Sequence, residues 1–436
     1  MQSTPTSLPR VVGIGGAVFI GLGSIIGTGV FVTIGIAAGL AGPAVILAIA
    51  LAAILATANG LSSAQLAANH AVSGGTYEYG YRYLNPTLGF IAGWTFLCAK
   101  TSSAATTSMG FAGYFLSVLN IGDHRWQQVA AITAIVLIIA LVLTGVRRSN
   151  RANFLIVATT LATLLFFILL CLPRALANGT THLSPFFKPN STDSPSMLPG
   201  LLEATALMFV AYTGYGRVAT MGEEVHHPRR TIPIAMIITL IVSMVIYMAV
   251  ALTGIAAAGI EIFAADGQKQ GVPLERVATS IQGDWAGFIL AIGAITAMLG
   301  VLLNVTQGLS RVVLAMGRRR DLPSRFAQLD RTGKTPTAAV LLVAAIIITL
   351  VIIGNVKSNW SFSAFTVLIY YAITNLAALR LRKDERLFPR WIAIVGLLGC
   401  LFTAFWVEPR IWMIGLALIA VGLVWHAVVR RWSVAR

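Results

Sequence analysis

The stretch G-S-I-I-G-T-G-V-F, Gly23 to Phe31, carries its chemistry in the backbone rather than in side chains. It lies inside an apolar run from Val11 to about Leu40. A helix in lipid must satisfy its own N–H and C=O groups, because the hydrocarbon offers no partner. Gly23, Gly27 and Gly29 weaken a helix at the depth where that demand is strictest. A break there frees backbone groups to hold a polar solute, as discontinuous helices do in secondary transporters. Glycines so placed also serve close helix–helix packing, and this stretch alone leaves both readings open. A second stretch, F-V-A-Y-T-G-Y-G-R-V-A-T-M-G-E-E-V-H-H-P-R-R-T-I-P, Phe209 to Pro233, repeats the pattern with Gly214 and Gly216. The side chains that could act on charge are Lys100, in F-L-C-A-K-T-S-S-A-A-T-T, and Arg217. A lysine at the bilayer centre costs about 3 kcal/mol or more and usually faces the protein interior. Lys100 is therefore a relocated charge that carries a proton or stands in for a cation, a partner for substrate carboxylate or carbonyls, or a structural hydrogen-bonded residue. Arg217 reads as a structural or snorkelling side chain more than a substrate contact.

The elements that would position these residues are membrane helices. Hydrophobic residues make up 57% of the chain, charged residues 11%, and the mean hydropathy is +0.82. A soluble domain carries about a quarter charged residues. Stretches long enough to span a bilayer fall at roughly 11–40, 42–66, 86–118, 127–146, 151–173, 198–222, 231–258, 284–316, 336–354, 360–382, 388–407 and 409–430. This predicts an all-α integral membrane protein with 12 transmembrane helices, forming one polytopic domain over 1–436. The first stretch is too long for a cleaved signal peptide and is kept as span 1. Spans 1 and 6 both look broken, and each opens a block of five. Paired interruptions in matching places of two halves point to an inverted-repeat transporter site.

The net charge of +16 does not point to nucleic acid. With the N-terminus inside and twelve spans, most Lys and Arg fall in cytoplasmic segments, among them Arg318, Arg319, Arg320, Arg382, Lys383, Arg430 and Arg431. That is the positive-inside bias, and it places both termini in the cytoplasm of a cell (inner) membrane protein. The basic loops would touch anionic lipid. Cys98, Cys171 and Cys400 lie in or beside apolar stretches and form neither a disulfide framework nor a metal pattern. No Ser/His/Asp set, phosphate-binding loop or paired intramembrane carboxylates appear, so the sequence predicts no enzyme, no metal and no cofactor.

The motifs together carry a resemblance. G-S-I-I-G-T-G-V-F is followed by A-G-L-A-G-P-A (Ala38 to Ala44) and V-S-G-G-T-Y-E-Y (Val72 to Tyr79). A-Y-T-G-Y-G with G-E-E-V-H-H-P-R-R-T-I-P comes next, then S-R-V-V-L-A-M (Ser310 to Met316) and D-L-P (Asp321 to Pro323). In this order and spacing the chain resembles an amino acid permease of the amino acid–polyamine–organocation (APC) superfamily. The resemblance implies a LeuT-type 5+5 inverted repeat with broken helices 1 and 6 plus two peripheral helices. Repeat 1 would cover about 11–173, repeat 2 about 198–382, and the peripheral helices about 388–430.

The site then follows by position. A substrate carboxylate would meet free N–H groups at Ile26, Gly27, Thr28 and Gly29, where the second half-helix of span 1 begins. The ammonium would meet free carbonyls near Ile25 and around Phe209, Val210 and Tyr212, with Thr213 and Gly214 completing the break of span 6. In the family an aromatic side chain in this part of span 6 closes over the substrate. The aligned position is Val210 here, which leaves Phe209 or Tyr212 as the gating residue. Some proton-coupled members carry a lysine in span 5. Thr160 stands there in this chain and could ligate sodium or simply pack. Thr296, in span 8, lies near where sodium sits in related folds, but an isolated threonine more often bonds its own i−4 carbonyl.

The implied function is a secondary active amino acid transporter working by alternating access, proton-coupled or exchanging. The midplane regions show no Asp or Glu, and Lys100 adds positive charge, which favours neutral amino acids. The alternatives are a sodium-coupled symporter and a non-transporting amino acid sensor on the same fold. Coupling candidates are Lys100, Thr160 and Thr296. The expected partners are a small-molecule amino acid, a proton or sodium ion, and membrane lipid.

Overall fold

The computed structural model describes residues 12–70, 74–123, 125–144, 150–187, 197–219, 225–264, 272–330 and 335–434. Gly222, Glu223 and Glu224 of the second motif lie outside them. The helices are α1 (Ile14–Ile25), α2 (Ile34–Ala41), α3 (Val45–Asn69), α4 (Thr76–Tyr83), α5 (Pro86–Val118), α6 (Arg125–Leu143), α7 (Asn150–His182), α8 (Met197–Tyr212) and α9 (Gly216–Ala219). They continue with α10 (Pro228–Ala258), α11 (Ile260–Phe263), α12 (Pro273–Gln282), α13 (Asp284–Arg318), α14 (Thr337–Ile353), α15 (Val356–Leu379), α16 (Arg390–Ala404) and α17 (Pro409–Val434). Among the described residues, eight helical segments are long and apolar enough to cross a membrane, and α1, α14 and α16 are shorter apolar helices. The protein is a multi-pass membrane protein.

Local sequence explains where several helices begin. Asn85 caps α5 by accepting from the Leu88 N–H, and Pro86 occupies the first position, where no N–H is needed. Asn355 caps α15 with a reciprocal pair: its side chain accepts from Ser358 N–H, and the Ser358 hydroxyl accepts from Asn355 N–H. Boundaries shift from expectation where proline is tolerated. α7 runs through Pro173 to His182 rather than stopping at 173, because the freed backbone groups of a long helix can be satisfied by neighbours.

The packing has a regularity. α3 packs on α8 as α10 packs on α1. α7 packs on α10 as α3 packs on α15, and α7 packs on α13 as α15 packs on α5. α6 lies on α13 as α14 lies on α5. Helix α5 thus sits centrally, held by α13 and α15, and its middle is hydroxyl-rich and buried: Thr101, Ser102, Thr106, Thr107 and Ser108. These hydroxyls are satisfied within the bundle, as in Ser102 Oγ donating to Asn359 O at 2.7 Å and Thr107 Oγ1 to Ser103 O at 2.8 Å.

At the end where α1 begins, Val12 and Val225 form a parallel β bridge, and His226 N–H donates to Val12 O at 3.0 Å. α4 closes on the loop after α13. Tyr77 and Tyr81 hydroxyls both donate to the buried Asp321 carboxylate, at 2.7 Å each. Trp425 of α17 donates its Nε1–H to Asp321 O at 2.8 Å. At the C-terminal end of α5, the Ser117 hydroxyl donates to Glu275 of α12, and Tyr114 donates to the carbonyl of Phe31, which precedes α2, at 2.7 Å.

Candidate functional site

Both expected breaks are present, and they meet. α1 stops at Ile25; Ile26 is extended, at φ −79° and ψ 107°. The chain re-enters helix through a π-helical turn over Gly29–Thr33 before α2. Here the Gly27 carbonyl accepts from both Val30 and Phe31 N–H, at 3.1 Å each. In the second break α8 ends at Tyr212, a 3₁₀ turn spans Thr213–Tyr215, and α9 follows. A β-carbon built on Gly214 would lie 2.1 Å from Ser24 O and 2.6 Å from Ile25 N. Only glycine permits that approach of one backbone to another. A β-carbon on Gly29 would meet the Ala211 side chain at 2.5 Å and its backbone at 3.0 Å. The glycines thus serve close packing as well as interruption, and the packing is of one break against the other.

The residues expected to hold substrate are brought together. Ile25, Ile26, Thr28, Phe209, Val210, Tyr212 and Thr213 are all buried. Thr28 Oγ1 lies 2.8 Å from Thr107 Oγ1 of α5. Since Thr107 gives its proton to Ser103 O, Thr28 is the donor in that pair. The Val210 carbonyl accepts from the Thr213 hydroxyl at 2.8 Å. The two gating candidates have different surroundings. Phe209 meets Tyr371 of α15 edge-on with centroids 5.7 Å apart, whereas Tyr212 packs on Tyr247 of α10 at 5.3 Å.

Lys100 comes to the same place. Its Nζ donates to Thr213 Oγ1 at 2.9 Å, in the first residue of the 3₁₀ turn. Glu203, the carboxylate on α8, instead lies 3.8 Å from Lys357 of α15. Arg217 is exposed, in keeping with a role away from the substrate. The other two coupling candidates are turned into their own helices: Thr160 Oγ1 donates to Ile156 O at 2.7 Å and Thr296 Oγ1 to Ile292 O at 2.8 Å.

Sequence reasoning missed Tyr247. It is fully buried on α10, and its hydroxyl reaches Ile25 O at 3.0 Å and Ala211 O at 3.3 Å, one carbonyl from each break. It also missed Thr107 as the partner of Thr28. A lone tyrosine in an apolar helix, or one threonine among many, offers no spacing signal that would have found either.

Two broken helices joined at their breaks, beneath a multi-pass helical frame, define a membrane permease. The chain belongs to the amino acid permease family, which it matches over residues 14–425. An uncharacterized transporter of Mycobacterium tuberculosis is 36% identical over 432 residues, covering 98% of this chain and 93% of that protein. The branched-chain amino acid permease of Bacillus subtilis is 28% identical over 428 residues, covering 91% of this chain and 88% of the relative. The methylthioribose transporter of the same organism is also 28% identical, over 408 residues, covering 88% and 84%. The chain is accordingly a transporter and not an enzyme.

Proposed function

We propose that this chain is a secondary active transporter of neutral amino acids, working by alternating access and driven by a proton gradient or by exchange. The observation that carries the reading is the contact of Gly214 with Ser24 and Ile25, which sets the two breaks face to face. N–H groups at Gly27, Thr28 and Gly29 would receive the substrate carboxylate, and carbonyls at the helix ends would receive its ammonium; Ile26, expected from the sequence to join them, instead gives its N–H to Leu22 O at 2.8 Å, closing the last turn of α1. Twelve spans in a LeuT-type 5+5 inverted repeat are the architecture we infer. The exchangeable packing of the two runs of five helices supports it, since α3 relates to α8 as α10 relates to α1. With that topology the basic loops lie inside, both termini are cytoplasmic, and the site lies at the midplane of the inner membrane.

Lys100 is the coupling group in this reading. Its ammonium is held at the break of span 6 by Thr213, so gain or loss of its proton would act directly on the helix that must move. The cation there also disfavours cationic substrates, which supports a neutral one. Sodium coupling through Thr160 and Thr296 is the second choice: each hydroxyl donates to its own helix and keeps lone pairs for a cation, but neither touches the breaks as Lys100 does through Thr213.

Uptake of a labelled amino acid panel into liposomes tests the reading. Accumulation under an imposed inward proton gradient, or against an internal amino acid load, is the expected result. A requirement for sodium would replace the coupling scheme. Binding without flux under any gradient would favour the sensor.

A further inference from the structure

Helix α12 belongs to the connection between spans 7 and 8 and is laid against two other parts of the bundle. Pro273, its first residue, packs on the second half-helix of span 1: a β-carbon on Gly35 would lie 2.8 Å from the proline ring. Two residues on, Glu275 meets the C-terminal end of α5, where the Ser117 hydroxyl donates to its Oε1. Tyr114, on the same end of α5, donates to Phe31 O at 2.7 Å, in the turn that leads into α2. In the inferred topology these are the outer ends of spans 1 and 3, and α12 covers both.

The second carboxylate oxygen of Glu275, Oε2, is buried and has no hydrogen-bond partner among the described residues. The cations near α12 are engaged elsewhere. Arg276 gives its guanidinium to Ile262 O and Ala264 O. On α7, Arg174 donates to Ser280 O and Ile281 O, and His182 Nδ1 lies 2.9 Å from Ala256 O. The charged groups at the near ends of α13 and α11 are acidic and exposed, Asp284 and Glu261. α10 carries its charges, Arg229 and Arg230, at its far end, the π-helical turn carries none, and Lys100 of α5 is held at Thr213. A bare carboxylate oxygen so placed is costly, and a carboxyl avoids the cost by keeping its proton. Burial accordingly pushes Glu275 up to about 7, with the Ser117 hydroxyl acting in the other direction. Lifted off α5 into water, the same group would titrate in the ordinary carboxylate range. The proton thus binds more tightly when α12 is down, and by linkage its binding holds α12 down.

We propose that Glu275 is a proton-binding site of the outer face: a proton taken from the outer solution onto Oε2 holds α12 over the ends of spans 1 and 3, and its loss releases them. Acid outside therefore favours closure of that end, the step that must follow loading from that side. The consequence for uptake rests on the reading of the chain as an amino acid transporter; the proton-dependent closure does not.

The test uses the purified full-length protein in nanodiscs and two signals followed against pH. One is the infrared band of a protonated carboxyl. The other is the distance between spin labels at Ser280 of α12 and Leu119 beyond α5, both exposed, in a background lacking Cys98, Cys171 and Cys400. Wild type should show the band at about pH 6 and lose it by about pH 8.5, and the distance should lengthen over the same range. Glu275→Gln should lack that band and keep the short distance throughout. Ser117→Ala removes a donor that favours the charged form, so both transitions should move up by about one pH unit, which carries the test if the glutamine variant does not fold. A wild-type distance that does not change with pH would mark a merely structural proton and overturn the proposal. So would a band or a distance change that persists in Glu275→Gln, or a downward shift in Ser117→Ala. Both signals as expected, in a protein that moves no amino acid into liposomes, would leave the site standing and strike the transporter reading alone.

Discussion

Gly214 and Ser24 are in backbone contact: a β-carbon on the glycine would lie 2.1 Å from the serine carbonyl oxygen. No side-chain rotation relieves such a contact, because both partners are main chain. Gly214→Ala must therefore separate the two breaks. Transport by this variant should fall to background while the protein still inserts, with a lower melting temperature. Overpacking of this kind costs about 1–3 kcal/mol. Full uptake by Gly214→Ala would show that the breaks need not touch.

Lys100 and Thr213 give the second prediction. Thr213→Val keeps the shape of the side chain and removes the oxygen that accepts from Lys100 at 2.9 Å. A half-buried ammonium without its partner costs about 1–3 kcal/mol. Proton-driven uptake should drop about ten-fold in Thr213→Val and be lost in Lys100→Ala. Exchange against an internal load should survive better than net uptake in both. Equal loss of exchange and net uptake would assign Lys100 to structure.

Glu275 lies in α12, between the long helices, and burial raises its carboxyl to about 7, with the Ser117 hydroxyl donating to it and acting in the other direction. The folded protein therefore holds a proton that the unfolded chain releases at ordinary carboxylate pH. Stability contributed by this group is present below about pH 4.5 and falls as pH rises toward about 7. Melting temperature measured from pH 5 to pH 8 should decline across that window, and Glu275→Gln should flatten the decline. An identical slope in the variant would contradict the assignment.

Asp321 gathers two phenol hydroxyls from α4, so its loss leaves the buried Tyr77 and the half-buried Tyr81 hydroxyls without that acceptor. Asp321→Ala should destabilise the protein by about 2–4 kcal/mol, seen as a lower midpoint in thermal unfolding. The triple variant that also changes Tyr77 and Tyr81 to Phe should recover part of that loss, because it removes the stranded hydroxyls. No recovery would mean that the cost lies in the lost contact of the Asp321 carboxylate with buried His426, at 3.5 Å, rather than in the phenols.

The breaks were legible in the sequence because glycine inside an apolar run is a local signal, at Gly27 and Gly29 as at Gly214. How each break is rejoined was not, since a π-helical turn over Gly29–Thr33 and a 3₁₀ turn over Thr213–Tyr215 have no distinguishing composition. Lys100 stood out by its cost in lipid, but its partner Thr213 is set by tertiary contact across 113 residues. Tyr247 lies 222 residues from Ile25 in the chain, and its role exists only where the two breaks and α10 converge. The Asp321 motif was visible as D-L-P, yet nothing local to it tells of Tyr77, Tyr81 or Trp425.

The most direct measurement is the sidedness of labelling at a cysteine placed in the break. Thr28 is 3% exposed and lies between the two half-helices of span 1. Thr28→Cys would be made in a background lacking Cys98, Cys171 and Cys400 and reconstituted in one orientation. A membrane-impermeant thiol reagent should label it from either side of the bilayer, and the transported amino acid should protect it from both. Labelling from one side only, or labelling that no amino acid slows, would contradict alternating access around the paired breaks.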